Sequence, residues 1–125
     1  MPFIRVTLSK KIESSERNAL ATGITGLMAR ILGKKPELTS VLVESTGEYL
    51  WKVGAEPPPC AAHLEANITA GTNTEQEKSD FIREATALLR RHGGALPEAT
   101  YVIVREVPAT DWGYDGRTQL SRRPK

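Results

Sequence analysis

Cys60 is the one cysteine in this 125-residue chain, so no disulfide can close within it and no thiolate-clustered zinc site can be assembled. Histidine is nearly as scarce: His63 and His92, set among scattered carboxylates, show no metal-ligand spacing. No glycine-rich phosphate loop follows a strand, and no cofactor or metal is expected. No apolar run approaches the roughly 20 residues that a membrane-spanning helix needs. The opening Met-Pro-Phe-Ile-Arg lacks the apolar stretch of a secretory signal, so a cytoplasmic location is expected. The excess of positive charge is small, and a net +2 does not by itself point to nucleic acid. Neither nucleic acid nor a membrane is expected as a partner.

What is present is a globular composition, 39% hydrophobic and 26% charged, in a length suited to one domain. Phe3, Ile4, Val6 and Leu8 alternate with Arg5 and Thr7 and predict a strand. A helix is expected from Ser14 or Ser15, either of which would cap it. Leu20, Ile24, Leu27, Met28 and Ile31 give it one apolar face, and Gly33 stops it. Thr39–Glu44 predicts a second strand. Residues 46–61, with Pro57-Pro58-Pro59, read as a connector holding a short strand at Tyr49-Leu50-Trp51.

The pattern then recurs. His63–Ile68 predicts a third strand, Thr74-Glu75-Gln76-Glu77 a capping box, and Phe81, Ile82, Ala85, Leu88 and Leu89 a second apolar stripe ended by Gly93-Gly94. Thr100–Val104 is the fourth strand. Pro36–Val41 lies 61 positions before Pro97–Val102, the same offset brings Leu20 onto Phe81, and an offset of 60 brings Ile4 onto Leu64. These agreements predict a duplicated β-α-β unit: an α+β fold whose four-stranded sheet carries two helices on one face. Residues 1–125 form one domain, with unit one at about 2–45, the connector at about 46–61, unit two at about 62–116 and a tail at 117–125. The bare sheet face calls for self-association.

Pro2 opens the first strand. Once Met1 is removed its nitrogen is a free secondary amine, and burial or a nearby cation disfavours the protonated form and makes it a base. A proline opening a duplicated β-α-β unit, followed by Tyr101-Val102-Ile103-Val104-Arg105-Glu106-Val107-Pro108 and Asp111-Trp112-Gly113-Tyr114-Asp115-Gly116, resembles the tautomerase superfamily. The second half is similar to the 4-oxalocrotonate tautomerase group. With both units in one chain, the whole is similar to the branch of macrophage migration inhibitory factor.

The resemblance implies a homotrimer and a cofactor-independent isomerase in which Pro2 is the general base for keto–enol proton transfer on a 2-oxo acid or its enol. It also implies substrate-binding roles for Lys34 at the pocket wall, for Tyr101 contributed by a neighbouring subunit, and for Trp112 and Tyr114 in the hairpin. Arg117 is an alternative anion anchor to Lys34. On general grounds Lys34 is a cation at a helix C-terminus, and Tyr101, Trp112 and Tyr114 fill an interface or core. Against the family pattern, Lys10 and Lys11 stand where the short members carry arginine. Thr69-Ala70-Gly71-Thr72 replaces the arginine cluster of the decarboxylases. No arginine pair is evident, which favours a monoacid over a dicarboxylate, and the tail with Arg122 and Arg123 reads as solvated or wrapped on an interface. The alternatives are a hydratase or dehalogenase of an unsaturated acid, with Glu106 as its acid, and a non-catalytic trimeric binding module.

Overall fold

The computed structural model describes residues 2–124. Strand β1 (Phe3–Leu8) leads into helix α1 (Ser14–Arg30), a 3-10 turn at Pro36–Leu38 and strand β2 (Ser40–Ser45). After the connector, β3 (Ala62–Thr69), α2 (Glu75–Gly93) and β4 (Tyr101–Val107) repeat the unit. A small hairpin, β5 (Gly113–Tyr114) and β6 (Arg117–Thr118), and a 3-10 turn at Leu120–Arg122 complete the described residues.

The four main strands lie in the order β2-β1-β3-β4. Within each unit the strands are parallel, as the crossover helix requires, and β1 and β3 meet antiparallel at the centre. The register reproduces the repeat. Residues of β1 pair with β2 residues 37 positions on, while β3 pairs with β4 at 38; the opening strands are therefore offset by 60 and the closing strands by 61. Arg5 opposes Glu65, its own counterpart under the 60-residue repeat, so the local twofold relating the units passes between them.

Alternation along the strands sends Ile4, Val6 and Leu8, and likewise Leu64, Ala66 and Ile68, beneath the two helices, where all are fully buried. Leu20, Ile24 and Met28 of α1 and Phe81, Ala85 and Leu89 of α2 close that core. The capping box forms as expected: Glu77 N–H donates to Thr74 Oγ1 at 3.1 Å, and Thr74 N–H to Glu77 Oε1 at 2.8 Å.

Three local expectations are corrected. Neither Ser14 nor Ser15 caps α1: the chain turns at extended Glu13, which makes no side-chain cap bond, because buried Ile12 docks on the core just before it. Tyr49-Leu50-Trp51 forms no strand; Leu50 is 83% exposed, and among the described residues the segment pairs with no strand. Ile82 is 39% exposed, since one helical face about 100° wide is already filled by Phe81, Ala85 and Leu89.

Both helices cover one face of the sheet. The other carries exposed Phe3, Leu42, Tyr101 and Ile103. Among them lie ion pairs of Arg5 with Glu44 at 2.6 Å and of Arg105 with Glu65 at 3.5 Å, and His63 Nε2 stands 3.3 Å from Glu65 Oε1.

Candidate active site

The topology gathers one set of segments at one end of the sheet. β1 begins there, α1 returns there, and β3 and β4 both end there. Pro2 shares the helix-facing side of β1 with Ile4 and is fully buried. Its carbonyl accepts from Ser40 N–H at 3.2 Å, which ties the proline backbone into the β1–β2 ladder and fixes where its nitrogen sits.

Lys34 arrives at the same end because Gly33, at φ 69°, turns the chain back over the end of α1. Gly33 and Lys34 N–H groups donate to the Ala29 and Met28 carbonyls at 3.1 and 3.0 Å. Lys34 Nζ donates to Thr72 Oγ1 at 2.9 Å, and Thr72 in turn donates to the Thr69 carbonyl at 2.7 Å. Partial burial holds the Lys34 ammonium below its ordinary value, opposed by the charges of Glu77 and Glu106. The bonded threonine therefore orients a cation that is poorly hydrated and available to a carboxylate.

Lys34 lines a cleft of about 250 Å³ together with Thr69, Thr72, Gln119, Arg122 and Arg123. This corrects the expectation that no arginine pair is present: the last turn of the described chain lays Arg122 and Arg123 along the cleft wall, so the argument against a dicarboxylate loses its ground. Arg122 is clamped. Its guanidinium carbon stands 3.9 Å from the centroid of the Tyr114 ring, and Nη2 donates to the Tyr114 carbonyl at 3.0 Å. Trp112 adjoins the same cleft, its indole N–H 3.3 Å from Thr69 Oγ1.

Tyr114 thus acts on the cleft through Arg122. Arg117 belongs to β6 rather than to a free tail. It donates to the Ser121 carbonyl at 3.1 Å and lines a separate hollow with Asp111, Trp112 and Thr118. Tyr101 lies at the far end of the sheet: it pairs with His63, five rungs from the Pro2 level, or about 17 Å along the strands. There it lines another hollow with Trp51, Lys52 and His63, and within one subunit it is not brought to Pro2. Glu106 is engaged on both oxygens, by Lys78 and by the Gly71 N–H, and the Lys78 bond keeps its carboxyl below the ordinary range. Among the described residues no cluster of three or more metal-ligating side chains occurs.

Gln119, Arg122 and Arg123 are the residues that sequence reasoning did not assign to the site. The signal for them was weak: an arginine doublet eight and nine positions beyond a hairpin tyrosine follows no helical or strand period.

Two fused β-α-β units under one four-stranded sheet are a fold shared with solved tautomerase and macrophage migration inhibitory factor-like structures. The chain belongs to the tautomerase family: the Tautomerase enzyme family matches residues 2–58 and 63–118, both units in turn. Probable tautomerase K2 of Dickeya dadantii (strain 3937) is 30% identical over 57 residues, 45% of this chain and 85% of that protein. A fused 4-oxalocrotonate tautomerase solved as a symmetric trimer superposes with a TM-score of 0.85 at 17% identity, covering 97% of this chain and 99% of the other. The macrophage migration inhibitory factor-like protein of Entamoeba histolytica gives a TM-score of 0.79 at 19% identity, covering 94% and 97%. No helix among the described residues is long and apolar enough to cross a membrane.

Proposed function

We propose that this protein is a homotrimeric, cofactor-independent tautomerase that moves a proton between carbon and oxygen of a 2-oxo acid and its enol, with the Pro2 amine as general base. The observation that carries this reading is the burial of Pro2 at the sheet end where the Lys34 cleft lies. Removal of Met1 frees the amine. An apolar setting favours its neutral form, which is the form that takes a proton. Lys34 then stabilises the charge that develops on the enolate oxygen, and Trp112 braces the cleft residue Thr69 from behind. The trimeric state of the fused relative and the apolar open sheet face support assembly in threes. In that assembly Tyr101, 66% exposed in the single chain, is free to complete a neighbour's site. No observation favours a hydratase, since Glu106 is already held on both oxygens.

The test is intact mass followed by an ultraviolet enol–keto assay with phenylpyruvate enol and 2-hydroxymuconate side by side. Loss of Met1, turnover by the wild type and a drop of about 100-fold or more in Pro2→Ala are expected, the effect of removing a general base. Retained Met1, or a Pro2→Ala variant as active as the wild type, refutes the reading.

A further inference from the structure

Two residues that line the cleft each carry a buried nitrogen donor with nothing to bond among the described residues. Arg122 Nε and Gln119 Nε2 are both shielded from solvent and lack any hydrogen-bond partner among the described residues, and both residues line the cleft beside Lys34. A buried donor without an acceptor is costly, and a native fold retains one where an acceptor arrives from outside. Donors on Lys34, Arg122 and Gln119, with Arg123 at the rim, form a concave set of one chemical sense. Among the described residues no carboxylate lines that wall, and the acceptor that suits a set of donors with two or three positive charges is an anion.

We propose that the C-terminal turn is the anion-binding wall of the site, with Arg122 and Gln119 as the principal anchors of the substrate carboxylate and Lys34 free to face the enolate oxygen. The proposal rests on the tautomerase reading and adds the group that holds the acid. Arg122 suits this task better than Arg117, whose guanidinium is turned to the Ser121 carbonyl in another hollow. Stacking on Tyr114 and the bond to the Tyr114 carbonyl fix the plane of the Arg122 guanidinium. Nε is thereby the nitrogen left without a partner, and an oriented planar fork loses little freedom on binding a carboxylate. Hairpin β5–β6 becomes a positioning element: its role in binding is to hold Arg122. An arginine also keeps its charge throughout the working pH range, so the anchor persists where Lys34 discharges.

Phenylglyoxylate separates binding from turnover, because it is a 2-oxo acid with no proton next to its carbonyl and cannot enolise. Its affinity is measured by calorimetry on the full-length protein freed of Met1, for the wild type, Pro2→Ala, Arg122→Gln, Arg123→Gln and the charge control Arg91→Gln on the exposed end of α2. Arg122→Gln is expected to weaken binding about 10- to 100-fold, the effect of losing one charge-assisted anchor. Arg123→Gln weakens it a few-fold, about 2- to 5-fold for a rim charge, and Arg91→Gln leaves it unchanged. Pro2→Ala retains binding while losing turnover. A wild type that does not bind phenylglyoxylate, or an Arg122→Gln variant that binds it as tightly as the wild type, overturns the proposal. If Arg122→Gln does not fold, Arg123→Gln decides, and unchanged affinity there overturns it too. Should Pro2→Ala keep full turnover while Arg122→Gln loses binding, the proline reading fails and the anion wall stands.

Discussion

Gly113→Ala tests the dependence of the cleft on the hairpin. An added Cβ would stand 1.9 Å from the Arg117 carbonyl oxygen and 2.8 Å from the Thr118 Cα. Both are backbone atoms, so no rotamer change relieves the overlap and the pairing of Gly113 with Thr118 must open. The cost has a ceiling, because β5–β6 peels away rather than holding the strain. Peeling forfeits the Trp112–Thr69 hydrogen bond and the Arg122–Tyr114 stack, about 1–3 kcal/mol together. Truncating Phe81 in the core would cost about 3–5 kcal/mol. The variant should therefore stay folded, with a small shift in the urea midpoint by circular dichroism and an unchanged mass by size exclusion. In a Trp51→Phe background the emission of Trp112 should move to longer wavelength as the indole leaves Thr69. In the enol–keto assay KM should rise about tenfold or more as Arg122 loses its orientation, with kcat changed far less. An unaltered Trp112 emission together with an unaltered KM would refute the argument that the hairpin holds the cleft.

Thr74→Ala removes the capping box of α2 and should cost about 1 kcal/mol, read as a lower urea midpoint with an unchanged slope. Burial lowers the Lys34 pKa from the ordinary 10.5, so its charge is lost as pH rises through that lowered value; kcat should begin to fall below pH 10.5 while KM for an anionic substrate holds, and Lys34→Met should abolish that limb. Glu106 is held below its ordinary 4.5 chiefly by Lys78, so its contribution to stability is present above that value and lost as pH falls through the lower folded one; Glu106→Gln should flatten the acid side of a Tm-against-pH curve. Leu42→Lys combined with Ile103→Lys places charge on the open sheet face and should reduce the mass in solution from that of the proposed trimer to that of a monomer, whereas a mass unchanged from the wild type would show that the face is not the interface.

The repeat was legible because it is written in periodicities that survive without any tertiary contact. Alternation at Phe3–Leu8, helical spacing from Leu20 to Met28 and the Thr74–Glu77 box are local, and their recurrence at offsets of 60 and 61 implied two parallel β-α-β units. The place of Pro2 at the head of β1 was legible as well, and the structure buries it there. The errors were of another kind. Ser14 and Ser15 are good caps that the docking of Ile12 overrode, and Tyr49–Trp51 has strand-forming residues but pairs with no strand among the described residues. Ile82 sits at helical spacing just outside the arc that the sheet can cover.

The sequence by itself therefore determined the two units, their core faces and the proline that opens the first strand, since each depends on neighbours no more than one element away. Only the tertiary structure decided which cations meet in the cleft. Lys34 and Arg122 are far apart along the chain, and what joins them is the antiparallel seam between β1 and β3 together with a hairpin that folds back onto Thr69. That seam also carries Tyr101 to the opposite end of the sheet. Side-chain convergence across such distances is set by strand order and register, which no local pattern of residues encodes.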